Sequence, residues 1–276
     1  MLPPIVARPI RGALERGGWL GGVEWEYRPR GWPDSDPRIR GWNDESVVTT
    51  QLARWPQFIR SVGGTAPFRL SNEAASPREG DYGFHNTVVT FGYVLTRAAL
   101  GHTRLSVLDW GGGIGHYCIY ARALVPEVQL EYHCRDLPLL AAGGRQVLPD
   151  ATFHDSDETI IARTYDLVVA SGSLHFSRDW RATLATLASV TGKYLYVTRQ
   201  PLVKTAPSFV VVQRADRHAY FTKYAGWFLN RTEFLTSARS LGLELVREFL
   251  IAERPVVARA PEQADYRGFL FRTPER

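Results

Sequence analysis

The segment that most restricts the fold of this 276-residue chain is Val107-Leu-Asp-Trp-Gly-Gly-Gly-Ile-Gly-His-Tyr117, a short apolar strand running into four glycines and then into a helix-forming stretch. Glycine has no Cβ, so the chain can turn tightly there and let a ligand come up against the backbone. A turn of this kind between a buried strand and a helix belongs at the carboxyl edge of an open parallel sheet, where ligands bind. The flanking sequence agrees. Apolar periodicity predicts helices over 86–100, 114–124, 137–147, 179–190 and 231–241, and strands at 105–109, 128–134, 151–154, 165–171 and 193–198. Two further strands, 243–251 and 267–272, are separated by a loop alone and suit an antiparallel pair at one edge. Strands alternating with helices in this way give an α/β fold with a mostly parallel sheet covered on both faces.

Residues 1–80 differ from the rest. Trp19, Trp25, Trp32, Trp42 and Trp55 fall here among Gly and Pro clusters, which argues against long regular elements. One helix is predicted from Asp44 to about Val62, with Asp44 or Ser46 as cap and Pro56 as a point of interruption. The segment is expected to form an irregular, aromatic-rich cap on the domain spanning 81–276. It either walls a pocket or serves only as packing.

Net charge is +5, but only three residues are lysine (Lys193, Lys204, Lys223), and the arginines are scattered rather than gathered in a patch. From Glu244 to Arg276 six acids alternate with six arginines, the mark of a solvated, ion-paired surface rather than a nucleic-acid footprint. No apolar run approaches the ~18 residues of a membrane span. Met1–Arg8 lacks the apolar core of a secretory signal. Cys118 and Cys134 fit neither a zinc spacing nor a disulfide framework, and a reducing cytoplasm is the expected setting.

The glycine cluster excludes one ligand class. A dinucleotide fingerprint needs G-x-G-x-x-G, and the third glycine is His116 when read from Gly111 and Cys118 when read from Gly113. Asp109 would also repel a phosphate, whereas it would welcome a cationic group. Asp136, at the end of the second strand, is placed to accept ribose hydroxyls. Asp155, after the third strand, could accept from an adenine amino group beside the Ser156 N–H.

Taken together, Asp109-Trp-Gly-Gly-Gly-Ile-Gly115, Asp136-Leu-Pro138, His154-Asp-Ser156 and Tyr165-Asp-Leu-Val-Val-Ala-Ser-Gly-Ser-Leu-His175 resemble the motifs of class I S-adenosylmethionine-dependent methyltransferases. The resemblance covers roughly residues 85–251. It implies a Rossmann-like fold with a mostly parallel seven-stranded sheet and an antiparallel edge strand. It also implies S-adenosylmethionine as cofactor and S-adenosylhomocysteine as product. Asp109, Gly111, Gly113 and Gly115 would form the loop cradling the methionine part. Asp136 and Leu137 would meet the ribose, Asp155 and Ser156 the adenine, and Ser171 would complete the cofactor site. The Gln213, Tyr224, Trp227 and Asn230 stretch resembles a bacterial group within this family.

The acceptor is approached by elimination. Ser171-Gly-Ser-Leu-His175 replaces the Asn/Asp-Pro-Pro-aromatic motif of base amino-methylases. No cysteine follows proline, as cytosine-carbon methylases require, and the lysines do not compose a ribose-methylase set. Nothing resembles the paired-glutamate loop of protein arginine methylases. A small molecule or biosynthetic intermediate is therefore the expected substrate, methylated most readily at oxygen. Nucleic acid and membrane are not expected as partners, and a homodimer stays open. His175 sits where related O-methyltransferases place a base, and an imidazole titrating near ~6.5 suits that task; its alternative is to line the cofactor pocket. His85 is the second candidate, with a helix-start role beside Asn86 as its alternative. An aromatic insert at about 200–230 reads as a substrate-side wall, with Arg199 and Gln213 as polar contacts, or as ordinary core. His116 is expected on a helix surface or at the pocket rim; the other histidines (His102, His133, His154, His218) show no ligand clustering, and no metal is expected. A non-catalytic binding module of the same fold, or methylation at nitrogen or carbon, is the competing reading.

Overall fold

In a computed structural model describing residues 24–33, 36–68, 82–215 and 219–274, the chain opens with a short strand, β1 (Trp25–Arg28), and a helix, α1 (Glu45–Val62). Trp19 and His218 lie outside the described residues. Asp44 caps α1 by accepting the Ser46 N–H at 3.0 Å. Pro56 removes one helical hydrogen bond without ending the helix, because Val47, Gln51, Trp55, Phe58 and Val62 are buried along one face and hold it in place. The next helix, α2 (Tyr82–Ala99), begins earlier than its periodicity suggests. The Thr87 hydroxyl already donates to the Gly83 carbonyl at 2.8 Å, so Asn86 is interior to the helix and not its cap.

From there strand and helix alternate as β2 (Arg104–Trp110), α3 (His116–Leu124), β3 (Gln129–Arg135), α4 (Pro138–Val147), β4 (Thr152–His154), β5 (Tyr165–Ser171), α5 (Trp180–Val190) and β6 (Thr191–Val203). Two strands, β7 (Phe209–Arg214) and β8 (Lys223–Asn230), precede α6 (Arg231–Ser240). The chain closes with β9 (Glu244–Leu250), β10 (Val257–Ala258) and β11 (Asp265–Arg272). Strands β4-β3-β2-β5-β6 lie side by side in parallel. Strand β11 runs antiparallel between β6 and β9, completing the expected Rossmann-like sheet of seven. Because β3 and β5 flank β2 on opposite sides, a crevice opens over the carboxyl ends at that switch of direction.

Four more strands extend the sheet to eleven. The extension follows from the length of β6, which is 13 residues. Strand β5 pairs with it only as far as Thr198, and the exposed backbone beyond is taken by β8 at Leu202 and Val203. Outward from β8, β7 pairs antiparallel with β8, β1 antiparallel with β7, and β10 parallel with β1. Val107 and Leu108, adjacent in β2, point to opposite faces and belong to different cores. One core packs under α1 to α4, with Phe58, Phe91 and Tyr120. The other packs under α5 and α6, with Trp180, Leu184 and Phe234. Among the described residues no helix is long and apolar enough to cross a membrane.

Asn230 joins the extension to α6. Its Oδ1 accepts the Thr232 and Glu233 N–H groups at 2.9 and 3.1 Å, and its Nδ2 donates to the Lys204 and Ala206 carbonyls at 3.3 and 2.9 Å. Asn230→Ala removes the cap and leaves nearby carbonyls short of a donor. It should lower unfolding stability by about 2 kcal/mol, read from urea denaturation.

Candidate active site

The glycine loop crosses the carboxyl end of β2 and is shaped by two close approaches. Gly111 has φ +75°, and a Cβ there would stand 2.3 Å from that of Ser173. Gly113 has φ +63°, and a Cβ there would come within 3.0 Å of Gln51 Oε1. The loop is tied to β3 from both ends. The Gly111 N–H donates to the Arg135 carbonyl at 2.7 Å, and the Gly113 N–H donates to Asp136 Oδ2 at 2.6 Å. The other oxygen of Asp136 accepts the Leu137 N–H at 2.6 Å, where α4 begins. Asp136 is thus a buried clamp between two loops, and burial raises its pKa against the lowering effect of both N–H groups. A carboxylate has about four lone-pair sites, so two N–H donors leave it capacity for hydroxyls.

Asp109 is fully buried at the floor of the same cleft. Its Oδ2 accepts the Tyr132 hydroxyl, whereas Oδ1 is buried with no hydrogen-bond partner. Burial, with the charge of Asp136 added, pushes its carboxyl up to about 7. An orphaned acceptor of this kind in a cleft suits a ligand carrying a cationic donor, as the methionine ammonium of S-adenosylmethionine is. The cleft runs from Asp136 past the glycine loop to Arg199.

Several expected residues meet in it: Asp109, Gly111, Gly113, Asp136, Leu137, Ser171 and Arg199 all contribute to its wall. The Ser171 hydroxyl is bonded to the Tyr117 hydroxyl at 2.6 Å, and burial drives the Tyr117 phenol well above its ordinary range. Arg199 takes a φ of +48°, pairs with Glu253 at 3.4 Å and lies 5.0 Å from the Phe84 ring. Gly115 sits behind the cleft as the left-handed residue that starts α3.

Others stand elsewhere. Asp155 is exposed and paired with Arg145 at 3.3 Å, and the Ser156 hydroxyl caps a short 3₁₀ turn by accepting the Glu158 N–H at 3.2 Å. Neither reaches the cleft wall. Gln213 donates to Glu24 at 2.8 Å on the far strands. His85 stacks on Phe68 at 6.4 Å in the first turn of α2, away from the lining. His175 is 1% exposed, with its ring 4.0 Å from that of Phe176, and it too is absent from the lining. The reason is local. Residues 174–176 form a 3₁₀ turn, in which positions three apart share a face, so Ser173 and Phe176 look into the cleft and His175 does not. His116, by contrast, does line the cleft, as a place at the pocket rim implies; it is 3% exposed and packs edge-on to Phe58 at 4.7 Å.

Trp42, Gln51, Trp110, Arg135 and Phe176 also line the cleft and were not singled out by the sequence. Trp110 and Arg135 end β2 and β3, so the strand-end rule could have found them. Trp42 and Gln51 come from the irregular N-terminal segment, where the density of aromatics was the one available signal. Both cysteines are free, and burial pushes their thiols up, Cys118 to about 12. Neither is a nucleophile at neutral pH. Among the described residues no three His, Cys, Asp or Glu side chains gather in a metal-binding group.

A cation beside Asp109 favours its ionised form, so bound S-adenosylmethionine competes with the proton there. Below pH 7 its affinity should fall about tenfold per pH unit, and it should level off from pH 7 to 7.5. Calorimetry across pH 5.5–7.5 checks this, and Asp109→Asn should flatten the profile. Asp136→Ala removes the clamp and should weaken S-adenosylhomocysteine about 10- to 150-fold by the same method, with Asp136→Asn falling between.

By sequence the chain matches no curated protein. Among solved structures it is similar to an S-adenosylmethionine-dependent methyltransferase from Clostridium acetobutylicum, at 9% identity over 73% of this chain and 94% of that one, with a TM-score of 0.45. A second is the 1,6-didemethyltoxoflavin N1-methyltransferase of Burkholderia thailandensis, bound to 1,6-didemethyltoxoflavin and S-adenosylhomocysteine. It shares 16% identity over 69% of this chain and 80% of that one, with a TM-score of 0.45. A third is the mitomycin 7-O-methyltransferase, at 17% identity over 82% and 68%, with a TM-score of 0.47. A family model described as a methyltransferase domain matches residues 84–247, more than half of the chain. That span carries strands β2 to β8, the glycine loop and the Asp136 clamp, and the chain belongs to the class I S-adenosylmethionine-dependent methyltransferase family.

Proposed function

We propose that this enzyme methylates an acidic oxygen, such as that of a phenol, an enol or a carboxylic acid, on a small biosynthetic molecule in the cytoplasm. The observation that carries the reading is the separation of charge along the cleft. Asp136 and Asp109 stand at the ends of β3 and β2, and the Arg199 guanidinium lies on β6. Across β3-β2-β5-β6 that is three strand spacings, about 14 Å, enough for a cofactor at one end and an acceptor at the other. A guanidinium stays charged at every working pH; it stabilises an oxyanion and disfavours a protonated amine.

When bound, the cofactor supplies an electrophilic methyl group on a sulfonium. The protein's part is alignment and exclusion of water. Trp42 and Phe176 supply apolar walls, their rings 5.2 Å apart, and the hydrogen-bonded pair of Ser171 and Tyr117 fixes the floor. Arg199 holds the acceptor as its anion, which removes the need for a histidine base. His175 accordingly serves packing between Phe176 and Tyr266. Residues 1–80 act as the substrate-side cap on the methyltransferase domain of 81–276. Trp42 stacks 4.1 Å from Tyr224 of the insert at about 200–230 and so joins cap to domain beside the acceptor.

The test is release of S-adenosylhomocysteine with matched panels of phenols, carboxylic acids and amines. Acidic oxygens should be preferred, with a pH–rate profile that follows the pKa of each acceptor. Arg199→Met should lower kcat/KM about 10- to 100-fold while cofactor affinity stays within about threefold. Preference for amines would overturn the oxygen assignment. An inflection near pH 6–7 that vanishes in His175→Gln would restore the imidazole as base.

A further inference from the structure

The glycine loop offers more acceptors than the protein fills. Gln51, on α1, is 5% exposed and lines the cleft directly over Gly113. Its Nε2 donates to the Tyr220 hydroxyl at 3.5 Å, which turns the amide oxygen toward the loop. That oxygen, Oε1, is buried with no hydrogen-bond partner. The neighbouring backbone cannot satisfy it, because the Gly113 N–H is already given to Asp136. Asp109, whose Oδ2 packs against Gly112 of the same loop, holds the second orphaned acceptor in its Oδ1. Two buried acceptors without donors, flanking one loop, are costly unless a ligand fills them.

The ligand that complements them has several donors and no acceptor on the group it presents. An ammonium has three N–H bonds and no lone pair. The geometry points to Gln51 as a cofactor-binding residue contributed by the N-terminal segment: its Oε1 and Asp109 Oδ1 together receive the ammonium of the amino-acid moiety of S-adenosylmethionine. This rests on the cofactor assignment made above. It adds that the cap completes the cofactor site as well as the acceptor site, so ordering of α1 and cofactor binding are linked. A side chain at Gly113 would collide with Gln51, which gives the residue at 113 a second reason to be glycine.

Calorimetry on the full chain with two ligands tests this. One is S-adenosylhomocysteine, which carries the ammonium; the other is 5′-methylthioadenosine, which keeps the adenosine and lacks the amino-acid part. Gln51→Leu should weaken S-adenosylhomocysteine about tenfold or more and leave 5′-methylthioadenosine within twofold. Gln51→Glu keeps the acceptor and adds charge, so it should bind S-adenosylhomocysteine at least as tightly as the wild type. Circular dichroism confirms that each variant is folded. Unchanged affinity of Gln51→Leu for S-adenosylhomocysteine overturns the assignment, as does equal weakening of both ligands or weaker binding by Gln51→Glu. If the wild type binds neither ligand, the cofactor reading itself fails, an outcome distinct from a silent Gln51.

Discussion

The Asp136 carboxylate is the constraint on which the rest of the cleft depends. Glycine turns are floppy by nature, and this one carries left-handed residues at 111, 113 and 115. What gives it a single shape is a pair of 2.6 Å bonds from one buried carboxylate to the Gly113 and Leu137 N–H groups. The first fixes the loop after β2, and the second fixes the start of α4 after β3. Parallel pairing of β2 with β3 brings the two strand ends together in register, Trp110 opposite Arg135, so the clamp needs no reach. Each such charge-assisted bond contributes about 1.5–3 kcal/mol, so the pair together is comparable to the cost of holding two or three residues in one conformation, about 1–2 kcal/mol each.

The opposite end of the cleft depends on a different constraint, the length of β6. A strand that outruns its neighbour leaves unpaired backbone groups, and those must find partners. Strand β8 supplies them and brings Tyr224 to the position where it stacks on Trp42. The extension is therefore more than an edge repair. It carries the aromatic surface against which the N-terminal segment docks, with Phe176 and Tyr220 as further contacts of Trp42.

The parallel core was legible because its strands and helices follow clean periods and the glycine loop marks where they end. Asp109 and Asp136 were found by strand-end logic, Ser171 through the family resemblance and Arg199 as a polar contact of the aromatic insert, and each does line the cleft. Strand β8 was not legible, since seven of its eight residues from Tyr224 to Asn230 lack alternation and both faces are covered. His175 is kept off the cleft wall by a rotation. In a three-residue turn the choice among Leu174, His175 and Phe176 for the cleft is decided by about 120° per residue, which composition cannot report. Gln51 was invisible for another reason. Its place over the loop follows from how α1 docks, a tertiary fact with no trace in local pattern.

That docking is itself written into α4. A Cβ at Gly143 would lie 2.6 Å from Val48 Cγ2 and 3.1 Å from Ile114 Cγ2, so α1 can approach α4 this closely only because position 143 has no side chain. The same helix starts at the residue that Asp136 clamps. One helix thus takes its position from the clamp at its first turn and passes that position to α1 through Gly143. Alpha-1 in turn sets Gln51 over Gly113, the other residue that Asp136 holds. The route from Asp136 returns to its own starting point by way of α4 and α1. A loosening at any step, whether at the carboxylate, the bare helix face or the amide, opens the same few ångströms above the glycine loop. Helix α1 is for this reason part of the cleft's rigidity and not an appendage beside it.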